Sequence, residues 1–177
     1  MKSKLNTLKI ILIALLIVGC ASSDDSSGSN SVFGTIQLSG SDTSSIGTSL
    51  TVGNIDEDAL DTTGTSSSVV LSDENTTFVN GEPNVGNFLN AFIIVAAQFT
   101  VGDGSDTQKA ISMTILKDGE EFSYVCSTPA TSSEDNTDCG TGFSVDKSAK
   151  RIVFNDTTVI NVDSGAILTM NGTIDYN

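Results

Sequence analysis

Carboxylates and hydroxyls are the groups in this 177-residue chain whose type and spacing could do chemistry. Asn54, Asp56, Asp58 and Asp61 set oxygen ligands at nearly alternate positions in the stretch NIDEDALD. A hard cation such as calcium is held by several such oxygens from one short turn. Asp103 and Asp106, within Gly102-Asp103-Gly104-Ser105-Asp106, offer a second acidic turn of the same kind. Ser144-Val145-Asp146-Lys147 sets a lysine three residues after a serine, a spacing at which an amine can help to remove a hydroxyl proton. Any two of the many carboxylates could serve a hydrolase, but no pair is singled out by the sequence.

Each of these patterns fails in detail. The first stretch resembles an EF-hand loop, yet Ala59 stands where that loop needs glycine and Thr65 where it needs a bidentate Glu. The second resembles one copy of a glycine-aspartate calcium turn without the repetition such turns rely on. Asp56, Asp58, Asp61, Asp103 and Asp106 are therefore weak metal candidates, and no cofactor is expected. Ser144 to Lys147 resembles the Ser-x-x-Lys of the penicillin-recognising enzymes, but the companion Ser-Asp-Asn and Lys-Thr-Gly motifs are missing and the segment falls on a strand and turn. The chain has no histidine, which removes Ser-His-Asp, Cys-His and His-ligated zinc chemistry together.

Eight basic residues face 22 acidic ones. Three of the eight, Lys2, Lys4 and Lys9, lie at the extreme N-terminus, so a chain lacking that segment would carry five bases and a net charge of −17. Such a field repels phosphate backbones, and nucleic acid is not an expected partner. Salt is expected to relieve the self-repulsion generally, by screening, rather than through a saturating calcium site.

Behind these residues lies a β-pattern. From Val32 onward apolar residues alternate with polar ones between clusters of Gly, Ser, Asp and Asn. In Ala110 to Cys126, Ile111, Met113 and Ile115 share one face, Asp118-Gly119 supplies a two-residue turn, and Phe122, Tyr124 and Cys126 continue the face. Pairing Lys117 with Glu120 sets Ile115 opposite Phe122 and Met113 opposite Tyr124. A second hairpin is predicted from Ile152, Phe154, Ile160 and Val162, which share a parity, through Asp163-Ser164-Gly165 to Ala166, Leu168, Met170, Ile174 and Tyr176. Asn171-Gly172 within it reads as a bulge or as continuous strand. Asn90 to Val101 fits a buried strand better than a helix, because Ile93 and Ile94 would fall outside a helical stripe. Val32 to Leu38, Ser49 to Val52, Ser68 to Leu71 and Thr76 to Val79 complete roughly ten short strands of an all-β fold, an antiparallel β-sandwich or barrel.

The first twenty residues differ from the rest. Three lysines precede an apolar run, Ile10 to Val18, too short to span a bilayer but suited to a secretory signal. The run ends Leu16-Ile17-Val18-Gly19-Cys20, which resembles the lipobox of bacterial lipoproteins. That resemblance covers residues 1–20 only. It implies cleavage before Cys20, a diacylglycerol on the Cys20 sulfur and further acylation of the new amine. Two or three acyl chains, at about 0.8 kcal/mol per buried methylene, anchor stably.

Residues 20–31, nearly all Ser, Asp, Gly and Asn after Cys20, read as a flexible tether, and 32–177 as a single domain. Ala21, where an inner-membrane retention signal would have Asp, implies delivery to the outer membrane. With Cys20 lipidated in an oxidising compartment, Cys126 and Cys139 are left to form a structural disulfide. The expected protein is a lipid-anchored envelope β-domain, structural or interacting rather than enzymatic, whose partner would be the membrane together with an envelope protein or glycan. Its rivals are a calcium-using adhesive module and a carboxylate hydrolase. A cleft with two carboxylates at catalytic separation would favour the enzyme; a filled core would favour the module.

Overall fold

The computed structural model describes residues 32–57, 67–101, 106–132 and 135–177. They form strands β1 (Gly34–Gly40), β2 (Ser49–Val52), β3 (Asn54–Asp56), β4 (Ser67–Ser72), β5 (Thr76–Val79), β6 (Glu82–Val85), β7 (Asn90–Val101), β8 (Asp106–Lys117), β9 (Glu120–Thr128), β10 (Ser144–Asp146), β11 (Arg151–Asn161) and β12 (Ile167–Asp175). A single helical turn, α1 (Thr43–Ile46), follows β1. Apart from the β5–β6 hairpin, the strands make one antiparallel sheet in the order β2-β1-β12-β11-β9-β8-β7-β4-β3, with β10 on the flank of β11, and the sheet nearly closes into a barrel. The all-β antiparallel architecture is as the alternation implied.

The β8–β9 hairpin has the expected register, Ile115 opposite Phe122 and Met113 opposite Tyr124. Asp118 (φ 53°) and Gly119 (φ 83°) are both left-handed, as a two-residue turn matching the strand twist requires. Lys117 Nζ donates to Asn90 Oδ1 at 3.2 Å instead of reaching across to Glu120. β7 pairs with β8 along its whole length, from Asn90 opposite Lys117 to Val101 opposite Asp106. Phe92, Ile94 and Ala96 are buried inward, whereas Ile93 and Val95 point outward and are half-buried.

The second hairpin is present with one correction. Phe154 pairs with Gly172 but Thr157 with Met170, so Asn155 and Asp156 form a bulge on β11, opposite Asn171 rather than at Asn171-Gly172. Asp156 has φ 49°, and its N–H donates to Asn171 Oδ1 at 2.9 Å. The extra residue reverses the facing of the rest of β11. Thr157, Val159 and Asn161 are therefore the buried residues, and Ile160 and Val162 turn outward and stay half-buried.

Closure depends on two places. β2 and β3 lie at opposite ends of the strand order yet are joined by Gly53 alone, so one extended segment pairs first with β1 and then with β4. At the crossing point the Gly53 N–H donates to Ser72 O at 2.9 Å, and a Cβ on Gly53 would stand 2.6 Å from the Glu74 backbone. Gly53→Ala should therefore push β3 and the Ser72 end of β4 apart and cost about 1–3 kcal/mol. Urea unfolding would measure it, and an unchanged midpoint would show that the Glu74 turn yields freely.

The second place is the seam between β9 and β11, which pair at Val125 with Ile160 and Tyr124 with Asn161, with one further bond from Val162 N–H to Ser123 O at 3.0 Å. Beyond that point the chain from Thr137 to Asp146 fills the gap. Ser127 N–H on β9 donates to Thr137 O at 3.0 Å, Thr158 N–H on β11 donates to Cys139 O at 3.3 Å, and β10 then pairs with β11. The disulfide of Cys126 and Cys139 fastens this strap, with the sulfurs bonded at 2.07 Å. Phe143 beside it is wholly buried and stacks on Phe154 with ring centroids 5.6 Å apart. The interior is one continuous apolar core, filled by side chains that include Tyr124, Phe143, Phe154, Ile94, Met113 and Met170.

Candidate functional site

Polar groups inside an apolar barrel must find partners or cost free energy. Tyr124 and Asn161, the residues that pair at the thin seam, both turn inward, and both hydrogen-bond one carboxylate. Tyr124 Oη donates to Asp42 Oδ2 at 2.9 Å and Asn161 Nδ2 donates to the same oxygen at 3.0 Å. Asn161 Oδ1 in turn accepts the N–H groups of Asp163 and Ser164, both at 3.0 Å, and so shapes the β11–β12 turn. Burial, and then the hydrogen bond to Asp42, push the Tyr124 hydroxyl far above its ordinary value. A phenol held neutral, with its proton committed to a carboxylate, is no base or nucleophile near neutral pH. The trio is a clasp between the β1–α1 connection and the seam.

Asp42 leads directly into α1, which drops Ile46 into the core edge beside a cavity of about 270 Å³. Ile46, Leu50, Ala91, Phe92, Ile115 and Leu116 supply its apolar wall, and Val32, 59% exposed, stands at it as well. Its polar lining is Asp73, Glu74, Asn75, Asn90 and Lys117. Asp73 is fully occupied by architecture: Oδ1 accepts Asn75 N–H at 2.8 Å, and Oδ2 accepts Thr76 Oγ1 at 2.9 Å and Phe92 N–H at 3.0 Å. Asp73 thus fixes a turn and the start of β7.

The remaining side of the cavity is backbone. β2 pairs with β1 alone among the described strands. Phe33 N–H donates to Val52 O at 2.9 Å and Leu38 N–H to Thr48 O at 2.8 Å, so the even residues address β1. By the alternation of an antiparallel ladder, the main-chain groups of Ser49 and Thr51 address the other side. Ser49, Thr51 and Gly53 line the cavity there. A second concavity, about 350 Å³, lies by the end of β9 among Phe99, Gln108, Lys109, Thr128, Pro129 and Thr131.

The residues singled out from sequence are dispersed. Asp56 ends β3 and is engaged in an interaction there. Cys20, Asp58, Asp61 and Asp103 lie outside the described residues, and of Asp106 only the backbone is described, pairing with Val101. Among the described residues no three of His, Cys, Asp and Glu are grouped so as to hold a metal.

Ser144–Asp146 is β10, and Lys147 Nζ donates to Glu57 O at 2.8 Å. Hydrogen bonds from Ser148 Oγ and Ala149 N–H lower Asp146 below the usual carboxylate value, as in an ordinary capped turn. Lys150 forms an ion pair with Glu57 and stands 5.4 Å over the Tyr176 ring. Asp42, Asn161 and the β2 edge were not singled out from the sequence. Asp42 sits in a Ser- and Thr-rich stretch that reads as a loop, and a free edge is a property of strand order, which one strand's sequence does not carry. Comparison with protein-family models, with curated proteins and with solved structures finds no match for this chain.

Proposed function

We propose that the protein is a lipid-anchored envelope β-domain whose work is interaction rather than catalysis. The observation that carries the reading is a continuous core of buried apolar side chains, beside which the described residues present surface concavities and a strand edge that no described strand covers. Of the two carboxylates that line the 270 Å³ cavity, Asp73 and Glu74, Asp73 holds its own turn and the start of β7. The lipobox-like sequence ending at Cys20 supports attachment to a membrane, with the outer membrane favoured by Ala21. The twelve residues from Cys20 to Ser31 would then tether the barrel at about 20 Å from its anchor, on the dimensions of a flexible polar chain.

Replacing Cys20 by Ser is expected to abolish incorporation of labelled fatty acid and to prevent the lipid-dependent anchoring of the domain. Undiminished labelling would overturn the anchor. Crosslinking from intact cells, read by mass spectrometry of residue pairs, tests the interaction. Crosslinks are expected to fall on one face of the barrel, and turnover of a glycan or ester substrate without such crosslinks would favour a hydrolase.

A further inference from the structure

We propose that the free edge of β2 and the cavity beside it form a docking site for an extended cationic peptide segment, which adds to the sheet as a strand and seats one apolar side chain in the cavity. The inference rests on the interaction reading above and names its site and its class of ligand.

Three features converge. First, the main-chain groups of Ser49 and Thr51 address the side of β2 where no described strand lies, an alternating row of donors and acceptors that only another extended backbone can match. Proteins normally blunt such an edge with charge or proline, and Ser49-Leu50-Thr51-Val52 has neither. Second, the cavity lies against that edge, and its apolar wall of Ile46, Leu50, Ala91, Phe92 and Ile115 can receive a side chain from alternate positions of an added strand. An acyl chain could fill the cavity but would leave the edge unmatched.

Third, the charge selects the partner. Asp73 and Glu74 line the cavity, and the one cation among its described lining residues, Lys117, is followed by Asp118 and Glu120 across the β8–β9 turn. The whole chain is at −14. A second copy would meet that field with the same sign, whereas Lys or Arg at the solvent-facing positions of an incoming strand meets the opposite one.

The probe is a blocked synthetic peptide of about seven residues, the length of an ordinary strand, with Lys alternating with Val and a central Phe. It would be titrated by fluorescence anisotropy onto the full chain in zwitterionic phosphatidylcholine nanodiscs, against empty discs. Saturable binding is expected, together with slowed hydrogen exchange at the amides of Ser49 and Thr51. Three changes are expected to weaken binding by about tenfold or more: N-methylation of the peptide's bonding edge, exchange of its Lys for Glu, and Ala91→Leu, which fills the cavity.

N-methylation leaves the protein untouched, so the edge contact is tested even if Ala91→Leu folds poorly. Binding indifferent to N-methylation, protection of other amides only, displacement of the peptide by a fatty acid without loss of edge protection, or concentration-dependent self-association through β2 in place of peptide binding would overturn the site. If the peptide fails while intact-cell crosslinks map to another face, such as the concavity around Phe99 and Thr131, this site falls and the interaction reading stands.

Discussion

Removing the Cys126–Cys139 bridge, by Cys126→Ala with Cys139→Ala, is expected to lower the free energy of unfolding by about 3 kcal/mol or more. The chain-entropy contribution of a loop this short is itself near 3 kcal/mol. The residues are thirteen apart, and both are buried. The mutation also truncates two core side chains and loosens the strap that replaces direct pairing between β9 and β11. Total stabilities of single domains are about 5–15 kcal/mol, so the loss is a large share of the whole.

The loss should also be local before it is global. Ser127 N–H and Thr158 N–H depend on carbonyls of the strap, Thr137 O and Cys139 O, and their exchange should accelerate first. The β7–β8 ladder, continuous over twelve residue pairs from Asn90 to Val101, should keep its protection until the barrel unfolds. Urea midpoints of the native and double-Ala proteins, with residue-resolved hydrogen exchange, measure both effects. A stability change below about 1 kcal/mol with exchange at Ser127 and Thr158 unaltered would mean that the seam holds without its staple.

How much of this was legible in the sequence differs from element to element, for physical reasons. The β8–β9 hairpin was fully legible because both of its determinants are local: a strict period of two, and the Asp118-Gly119 turn that fixes the register. β7 was legible as a strand but ambiguous in pattern, since Ile93 and Val95 are apolar on the face opposite Phe92 and Ile94. In β11 the parity argument failed halfway. A bulge is one extra residue, and Asn155-Asp156 announces it no more clearly than Asn171-Gly172 on the partner strand.

β3 and β6 were not legible, because three or four residues carry little periodicity and their pairing is decided by tertiary neighbours. The equally short β2 and β5 were legible from their β-forming residues, and β10 was legible as a strand and turn. The candidate site was nearly illegible. Its cavity wall joins Ile46, Leu50, Ala91 and Ile115 from four elements, and its free edge exists because β2 meets β1 and passes β4 only after Gly53. Cys126 and Cys139 were legible as a pair by elimination, but the seam they close was not.

The seam's other fastening titrates, and the barrel should lose stability steeply above pH 10. The chain contains two tyrosines, and the fold raises both. Tyr124 is pushed up by burial and by its hydrogen bond to Asp42, and Tyr176 is pushed up to about 12 by burial and by the charges of Glu57 and Asp146. A folded phenol that holds its proton more tightly than the unfolded one favours folding fully below the unfolded pKa of 10.0. Above it the unfolded state sheds protons that the native state keeps, so stability falls as pH rises toward the folded values. Each tyrosine contributes up to about 1.4 kcal/mol per pH unit to that slope.

Because the chain has no tryptophan, phenolate absorbance in the near ultraviolet reports these two groups cleanly. It should appear together with loss of the β-sheet circular dichroism rather than before it. Tyr124→Phe should cost most near neutral pH and progressively less at high pH. Near pH 8 it removes a hydrogen bond to a carboxylate and costs about 1.5–3 kcal/mol, whereas above pH 10 it removes up to about 1.4 kcal/mol per pH unit of the slope, so the variant's disadvantage shrinks. Phenolate signal developing near pH 10 with the sheet intact in a Tyr176→Phe background, where Tyr124 alone reports, or parallel pH profiles for the native and Tyr124→Phe proteins, would show that Tyr124 reaches solvent and that the Asp42 clasp does not hold the seam.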